Sequence, residues 1–193
     1  MNDVHILKVP SVVEAIERET ERIGFKMASE RRTGAFLRAL AAMKPAGRFL
    51  ELGTGTGIST AWLLAGMDAY SKLDTVDQDA SVQEIARRHL NHDIRVTFHT
   101  VEGAQFLAEA PTPYELIFAD AWAGKFHHLD QALALLPVGG IYIIDDLLPQ
   151  PNWPEDHPPK VDALIANLER REGFEVVKMN WASGLMIVVR TMP

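Results

Sequence analysis

Acidic side chains stand where apolar stretches of this chain end. Asp120 and the pair Asp145 and Asp146 follow directly on runs of apolar residues that read as buried strands. The ends of neighbouring strands lie about 5 Å apart, so these carboxylates would converge and repel one another unless a proton or cation intervenes. Hard oxygen ligands favour magnesium, calcium or manganese over zinc. We therefore predict a divalent-cation site, with Mg²⁺ the first candidate, at the three aspartates.

A metal-free arrangement of the same aspartates stays open. In it, one aspartate caps a helix and another binds a cofactor. Because consecutive strand residues point to opposite faces, Asp145 and Asp146 can both contribute only if their strand has already ended.

A glycine-rich stretch offers a second kind of chemistry. Glu51 is followed by Gly53, Gly55 and Gly57 at alternate positions, and a helical pattern begins at Ile58. Glycine permits unusual dihedrals and close approach of the backbone to a ligand, and the first turn of a helix offers free N–H groups. The pattern predicts a cofactor loop, although a glycine-rich turn without a ligand has the same local sequence.

The glycine spacing bears on which cofactor binds. A dinucleotide fingerprint has glycine at its first, third and sixth positions, and the sixth position counted from Gly53 is Ile58. Glu51 would repel a pyrophosphate but suits a cationic ligand. These two features oppose a nicotinamide cofactor.

Two later positions fit a nucleoside. Asp77 ends the next strand, where a carboxylate can accept both hydroxyls of a ribose, unless it only caps the following helix. Gly103 and Ala104, after the third strand, are small enough for an adenine ring to lie flat against them.

Strand and helix patterns alternate along the part of the chain that carries these residues. Strands are predicted at 49–52, 73–77, 95–100, 114–120, 141–146, 174–179 and 185–190, and helices at 11–22, 29–43, from 58, 80–90, 103–109, 126–136 and 161–171. This order predicts an α/β fold: a Rossmann-like, doubly wound, mostly parallel seven-stranded sheet with an antiparallel last strand and N-terminal helices. We expect one domain over 1–193, with a helical cover at 1–45 and a core at 46–193.

Two local features qualify this outline. Residues 11–14 have the sequence of a capping box, which predicts a side-chain cap at the first helix.

The segment 148–160 holds five prolines, which predicts an irregular loop. Its Trp153 could belong to a lid over the ligand edge of the sheet, or the loop could be a stiff connection or a subunit contact.

Composition narrows the function classes. The net charge of −7 argues against a general nucleic-acid surface and favours a small-molecule substrate. Without cysteine there is no disulfide framework, cysteine nucleophile or zinc–thiolate site, which fits the cytoplasm. We expect no membrane span, because no apolar run approaches the roughly 20 residues that a span needs, and no signal peptide, because residues 1–5 lack a charged-then-apolar pattern.

The motifs resemble those of a known family. The Glu-x-Gly-x-Gly-x-Gly loop resembles the first motif of class I S-adenosylmethionine-dependent methyltransferases. The chain as a whole resembles the metal-dependent O-methyltransferases typified by catechol and caffeoyl-CoA O-methyltransferase. The matching segments are 34–37, the glycine loop, Asp77, Gly103–Ala104, 120–122, Asp145–Asp146 and 183–185.

This resemblance implies site residues and a mechanism. The cofactor residues would be Ser29, Glu51, Gly53, Thr54, Gly55, Gly57, Ser59, Asp77, Gly103, Ala104 and Asp120, and the metal ligands Asp120, Asp145 and Asp146. The family's reaction is an in-line attack of a metal-bound substrate oxygen on the sulfonium methyl group. A homodimer is a further expectation from the family.

The chain departs from the family pattern at two places. The last metal pair is Asp-Asp rather than Asp-Asn, and the usual lysine three residues after the first metal aspartate is Ala123. Lys125 is the predicted base in its place, with a solvated surface charge as the alternative. His127 and His128 have pKa values suited to a base, but adjacent histidines on a helix cannot face the same way.

Three functions therefore compete. The first is O-methylation of a small hydroxylated molecule with help from a divalent metal, and a vicinal-dihydroxy molecule is one option for that substrate. The second is a protein of the same fold that binds S-adenosylmethionine but whose activity has lapsed or does not depend on a metal. The third is a nicotinamide oxidoreductase.

Overall fold

The computed structural model describes residues 5, 6, 8–110, 113–151 and 153–193. The elements in chain order are α1 (Ser11–Ile23), α2 (Arg31–Ala42), β1 (Arg48–Leu52), α3 (Ile58–Gly66), β2 (Lys72–Asp77), α4 (Ala80–Leu90), β3 (Val96–Thr100), α5 (Gly103–Glu109), β4 (Leu116–Ala119), α6 (Leu129–Ala134), β5 (Ile141–Ile144), α7 (His157–Glu169), β6 (Phe174–Met179) and β7 (Leu185–Arg190).

The seven strands form one sheet in the order β3-β2-β1-β4-β5-β7-β6. Pairing is parallel from β3 through β5, whereas β7 is antiparallel to both β5 and β6. The predicted Rossmann-like sheet with an antiparallel last strand is confirmed. Leu52, Ala119 and Ile144 lie in register, so the chain leaves β1, β4 and β5 at the same edge.

Hydrophobic side chains fill both faces of the sheet. Phe49 and Leu50 are consecutive and both fully buried, because successive strand residues point to opposite faces. Phe49 belongs to the core beneath α1, α2 and α3, and Leu50 to the core beneath α6 and α7. The predicted helical cover at 1–45 contains α1 and α2, which pack against α3. No helix in the described part of the chain is long and apolar enough to cross a membrane.

The starts of two helices differ from the prediction. Pro10 is the N-cap of α1 and no side chain caps the helix, so the predicted capping box is wrong: Ser11 is already helical. Helix α7 begins at His157, inside the segment predicted to be wholly irregular. Prolines 158 and 159 occupy its first turn, where a missing N–H costs no helical hydrogen bond.

Two other helices begin later than predicted. Helix α2 begins at Arg31 and α6 at Leu129. Ser29, His127 and His128 therefore lie in loops rather than on helices, and loops at the sheet edge place them near the strand ends.

The contact between α2 and α3 generates a stability prediction. A methyl group at Gly34 would lie closer than 3.0 Å to ring atoms of the fully buried Trp62. We expect Gly34→Ala to lower the free energy of unfolding by about 1 to 3 kcal/mol through overpacking, although alanine is the better helix former. Urea unfolding would measure this, with Glu84→Ala on the exposed face of α4 as the control. An alanine variant as stable as the parent would contradict the proposed close packing.

Candidate active site

A cleft of about 520 Å³ lies at the carboxyl edge of the sheet. It opens where β1 and β4 are neighbours although they are not consecutive in the chain, which is where open α/β sheets bind ligands. Its lining includes the predicted residues Ser29, Gly53, Thr54, Gly55, Ser59, Asp77, Gly103 and Asp120. It also includes Trp122 of the matching segment 120–122, and His127, predicted only as an alternative base. The unpredicted lining residues are Phe25, Met27, Thr56, Gln78, Asp79, Val82 and Glu102. The lining does not include Glu51, Gly57, Ala104, Lys125, Asp145 or Asp146.

The glycine loop has positive φ angles at each of its three glycines. A Cβ atom at Gly53 would lie 2.7 Å from the backbone oxygen of Asp120, so the loop can pass close to the end of β4 only with glycine there. A Cβ atom at Gly57 would lie 2.6 Å from Cβ of Ala86. Gly57 therefore serves the packing of the loop on α4, which explains why it does not line the cleft.

Asp77 ties the loop after β2 to the glycine loop. Its Oδ2 accepts a hydrogen bond from the backbone N–H of Gly55 at 2.7 Å, and its Oδ1 accepts one from the N–H of Asp79 at 2.9 Å. The N-cap of α4 is Asp79, whose carboxylate accepts from the N–H groups of Ser81 and Val82. The alternative that Asp77 is an ordinary helix cap is therefore wrong.

Glu51 lies beneath the glycine loop rather than in the cleft. Its side chain is fully buried, and Oε2 accepts hydrogen bonds from the hydroxyls of Thr60 and Thr75. Oε1 has no hydrogen-bond partner in the described structure. Burial raises the pKa of Glu51 to about 7, while the neighbouring hydroxyls act in the opposite direction. This carboxyl group can therefore carry a proton near neutral pH.

Three carboxyl groups gather beside the cleft, as predicted. Asp120 accepts a hydrogen bond from the Ser29 hydroxyl at 3.1 Å, and Asp145 accepts one from the Ser183 hydroxyl and one from the N–H of Asp146. Strand β5 has ended at Ile144, and Asp146 has a φ of 60°. The condition set by alternating strand residues is thus met, because the chain turns sharply between the two aspartates.

Burial and mutual repulsion raise the pKa values of two of these carboxyl groups, Asp120 and Asp145. Burial, and then the charge of Asp145, raise the pKa of Asp120 well above its ordinary value. Burial, and then the charge of Asp146, raise the pKa of Asp145 to about 6.

The Lys125 side chain is only 6% exposed, and its ammonium group points into the same cluster. Nζ donates a hydrogen bond to the backbone oxygen of Asp145 at 3.1 Å and lies 3.8 Å from Oδ1 of Asp120. The alternative that Lys125 is a solvated surface charge is therefore wrong. Its predicted role as the base stays a prediction.

The predicted metal triad does not fit a divalent ion in this arrangement. Calcium takes six to eight oxygen ligands, and magnesium takes six, of which one or two come from carboxylates and several from water. In the described parts of the chain, no three histidine, aspartate or glutamate side chains are grouped so that they could hold one ion. The cation beside Asp120 and Asp145 is the ammonium group of Lys125.

An aromatic cluster stands next to the cleft. The ring of His157 lies 4.4 Å from that of Trp153, 5.1 Å from that of Phe126 and 6.1 Å from that of Trp122, measured between centroids. Trp122 is half exposed and lines the cleft. His157 was not predicted, because it lies in the proline-rich segment 148–160. Helix α7 begins at His157, with prolines in its first turn, and so places this ring in the aromatic cluster.

Comparison with known proteins identifies the family. A family described as methyltransferase domain matches residues 50–147. This range holds the glycine loop, Asp77 and the acidic cluster. The chain belongs to the methyltransferase-domain family. The resemblance predicted from the motifs is confirmed at this level, and membership argues against a nicotinamide oxidoreductase.

Relatives and solved structures agree with this family. This chain is 28% identical over 128 residues to a catechol O-methyltransferase of Mycobacterium tuberculosis. The matched region covers 64% of this chain and 58% of that relative. An O-methyltransferase of Streptomyces achromogenes, TomG, solved in complex with SAM, superposes with a TM-score of 0.84 at 20% identity, over 97% of this chain and 92% of that one. An O-methyltransferase of Bacillus cereus in complex with SAH gives 0.82 at 21% identity, over 98% and 94%. The chain spans 64%, 58% and 56% of the length of three curated relatives.

Burial of Glu51 beneath the loop generates a pH prediction. Below about pH 4.5 its carboxyl group is protonated in the folded and unfolded states alike and contributes nothing. Between about pH 4.5 and 7 the unfolded chain releases this proton while the folded domain keeps it, so the free energy of unfolding falls as the pH rises. The full effect is about 3 kcal/mol.

We therefore expect Glu51→Gln to gain stability relative to the parent as the pH rises through this window. Urea unfolding of both proteins at several pH values measures the difference, in which the titration of all other groups cancels. A difference that stays constant with pH would show that Glu51 ionises normally.

Proposed function

We propose that this methyltransferase domain transfers the methyl group of S-adenosylmethionine to an oxygen of a small hydroxylated molecule. The observation that carries the proposal is the cleft itself, where the Asp77 carboxylate, the glycine loop and the end of β4 meet. The relatives add support, because one is named catechol O-methyltransferase and two solved neighbours hold SAM or SAH.

The residues present suit the parts of this cofactor. The carboxylate of Asp77 would accept the ribose hydroxyls, and Gly103 would leave space for the adenine ring. At the other end, Ser29 and Asp120 would receive the amino-acid part, whose ammonium group suits an acidic site. Glu51 would act from below, because its hydrogen bond with Thr60 fixes the start of α3 under the loop.

When bound, S-adenosylmethionine supplies a sulfonium methyl group: the acceptor oxygen forms a bond to the methyl carbon, the carbon–sulfur bond breaks, and sulfur keeps the electron pair as a thioether. The acceptor's hydroxyl proton must pass to a base. Of the three predicted candidates, Lys125, His127 and His128, only His127 lines the cleft. Trp122 presents an exposed ring beside it, which favours an acceptor with an aromatic or other flat apolar part.

The two predicted versions of this function differ in whether a divalent metal assists the reaction. The sequence resemblance favours metal assistance, whereas the position of Lys125 in the acidic cluster favours the metal-independent alternative. A protein that binds the cofactor without turnover remains the competing hypothesis. A cytoplasmic location, the absence of nucleic-acid partners and a homodimer all stay predictions.

Calorimetry with S-adenosylhomocysteine tests the cofactor site. We expect Asp77→Asn to weaken binding by about 10- to 100-fold, because hydrogen bonds to a charged acceptor contribute about 1.5–3 kcal/mol. The amide oxygen of asparagine can still accept from the N–H of Gly55, so the glycine loop should keep this hydrogen bond, whereas the N–H of Asp79 loses its acceptor. Glu84→Gln on α4 is the control, and NAD should not bind the parent protein. Unchanged affinity of the Asp77 variant would reject the ribose role.

Turnover separates an active enzyme from a lapsed one. We expect a labelled methyl group to pass from the cofactor to at least one member of a panel of catechols and related phenols. A protein that binds S-adenosylhomocysteine but methylates none of them would favour the lapsed alternative. A protein that does not bind S-adenosylhomocysteine at all would contradict both the active-enzyme hypothesis and the hypothesis of lapsed activity.

A further inference from the structure

We propose that the Lys125 ammonium group is the built-in cation of the acidic cluster and takes the place of a divalent metal ion in this chain. The inference rests on the proposed function, since it assigns Lys125 a positioning role for the same reaction. It makes Lys125 a fixed positive charge rather than the base. Its test is chosen so that metal binding is read separately from cofactor binding.

The turn after β4 aims the lysine inward. Gly124 has a φ of 87°, and a Cβ atom there would lie 2.6 Å from Oη of Tyr142 and 2.7 Å from Cδ1 of Leu52. The Tyr142 hydroxyl donates to the backbone oxygen of Gly124 at 2.7 Å, and the N–H of Lys125 donates to the oxygen of Trp122 at 3.1 Å. These contacts fix the backbone at Gly124 and Lys125, and the Lys125 side chain extends from there to the acidic cluster.

Two of the carboxylate oxygens that a metal would need already accept hydrogen bonds, and a third faces Lys125. Oδ2 of Asp120 accepts from Ser29, and Oδ1 of Asp145 accepts from Ser183 and from the N–H of Asp146. The remaining Oδ1 of Asp120 faces the Lys125 ammonium group at 3.8 Å. A divalent ion brought to this spot would meet a buried like charge within a few ångströms, which opposes its binding.

The same arrangement explains why the lysine is buried at all. A lysine removed from water needs compensating charge and hydrogen bonds. Asp120 provides the opposite charge and the Asp145 backbone oxygen provides the hydrogen bond. In turn, the ammonium group keeps the carboxylates from repelling one another, which is the task that a metal ion performs in an acidic cluster.

Binding of Mn²⁺ to the protein, followed by electron paramagnetic resonance of the free ion, tests the inference. We expect the parent protein to bind Mn²⁺ weakly and Lys125→Met to bind it at least about tenfold more tightly, because the uncompensated carboxylates then recruit a cation. Adding Asp120→Asn to Lys125→Met should remove the gain. Lys160→Met, which removes a more exposed lysine that pairs with Asp156, is the matched control and should bind like the parent.

Each result decides the matter. A tight Mn²⁺ site in the parent that Asp120→Asn abolishes would overturn the inference, and this arm does not depend on whether any lysine variant folds. A folded Lys125→Met, checked by its thermal melt, that gains no Mn²⁺ affinity would overturn it as well. Calorimetry with S-adenosylhomocysteine on the same parent sample tests the proposed function separately. If S-adenosylhomocysteine binds and the parent has no manganese site, both the proposed function and the role of Lys125 are supported. If S-adenosylhomocysteine does not bind, the proposed function is rejected, and the manganese result still decides the role of Lys125.

Discussion

The structure depends on how negative charge is buried at one edge of the sheet. Asp120 and Asp145 stand at the ends of β4 and β5, and Glu51 lies under the turn that follows β1. Low-dielectric surroundings make an isolated carboxylate costly. Each is therefore held by hydroxyl or N–H donors, and the pKa of each is raised. The acidic side chains suit this edge to a cationic group such as the sulfonium of a cofactor. Lys125 already supplies one positive charge beside Asp120.

The backbone at this edge is shaped by close approach rather than by flexibility. Gly53 lets the first loop pass the end of β4, and Gly124 lets the next loop turn beneath it. Asp77 then joins the loops after β1 and β2 through the N–H of Gly55. One local geometry thus forms the cleft and directs Lys125 into the acidic cluster.

Much of this was predictable from local pattern. The seven strands were predicted because each combines apolar or β-branched residues with flanking turn signals, and the carboxyl ends of parallel strands must share an edge. The residues at those ends, from the glycine loop to Asp120, follow from that rule. The unpredicted parts depend on distant partners. Ser29 leaves its expected helix and bonds Asp120, 91 residues away, and the direction of Lys125 depends on a hydroxyl from β5.

The central claim is that a sulfonium nucleoside binds across β1, β2 and β4. A crystal structure of the protein with S-adenosylhomocysteine tests it most directly. The account predicts adenosine density in the cleft, with the ribose hydroxyls within hydrogen-bond distance of Asp77. Density for the nucleoside elsewhere on the molecule, with Asp77 still bonded only to Gly55 and Asp79, would contradict it.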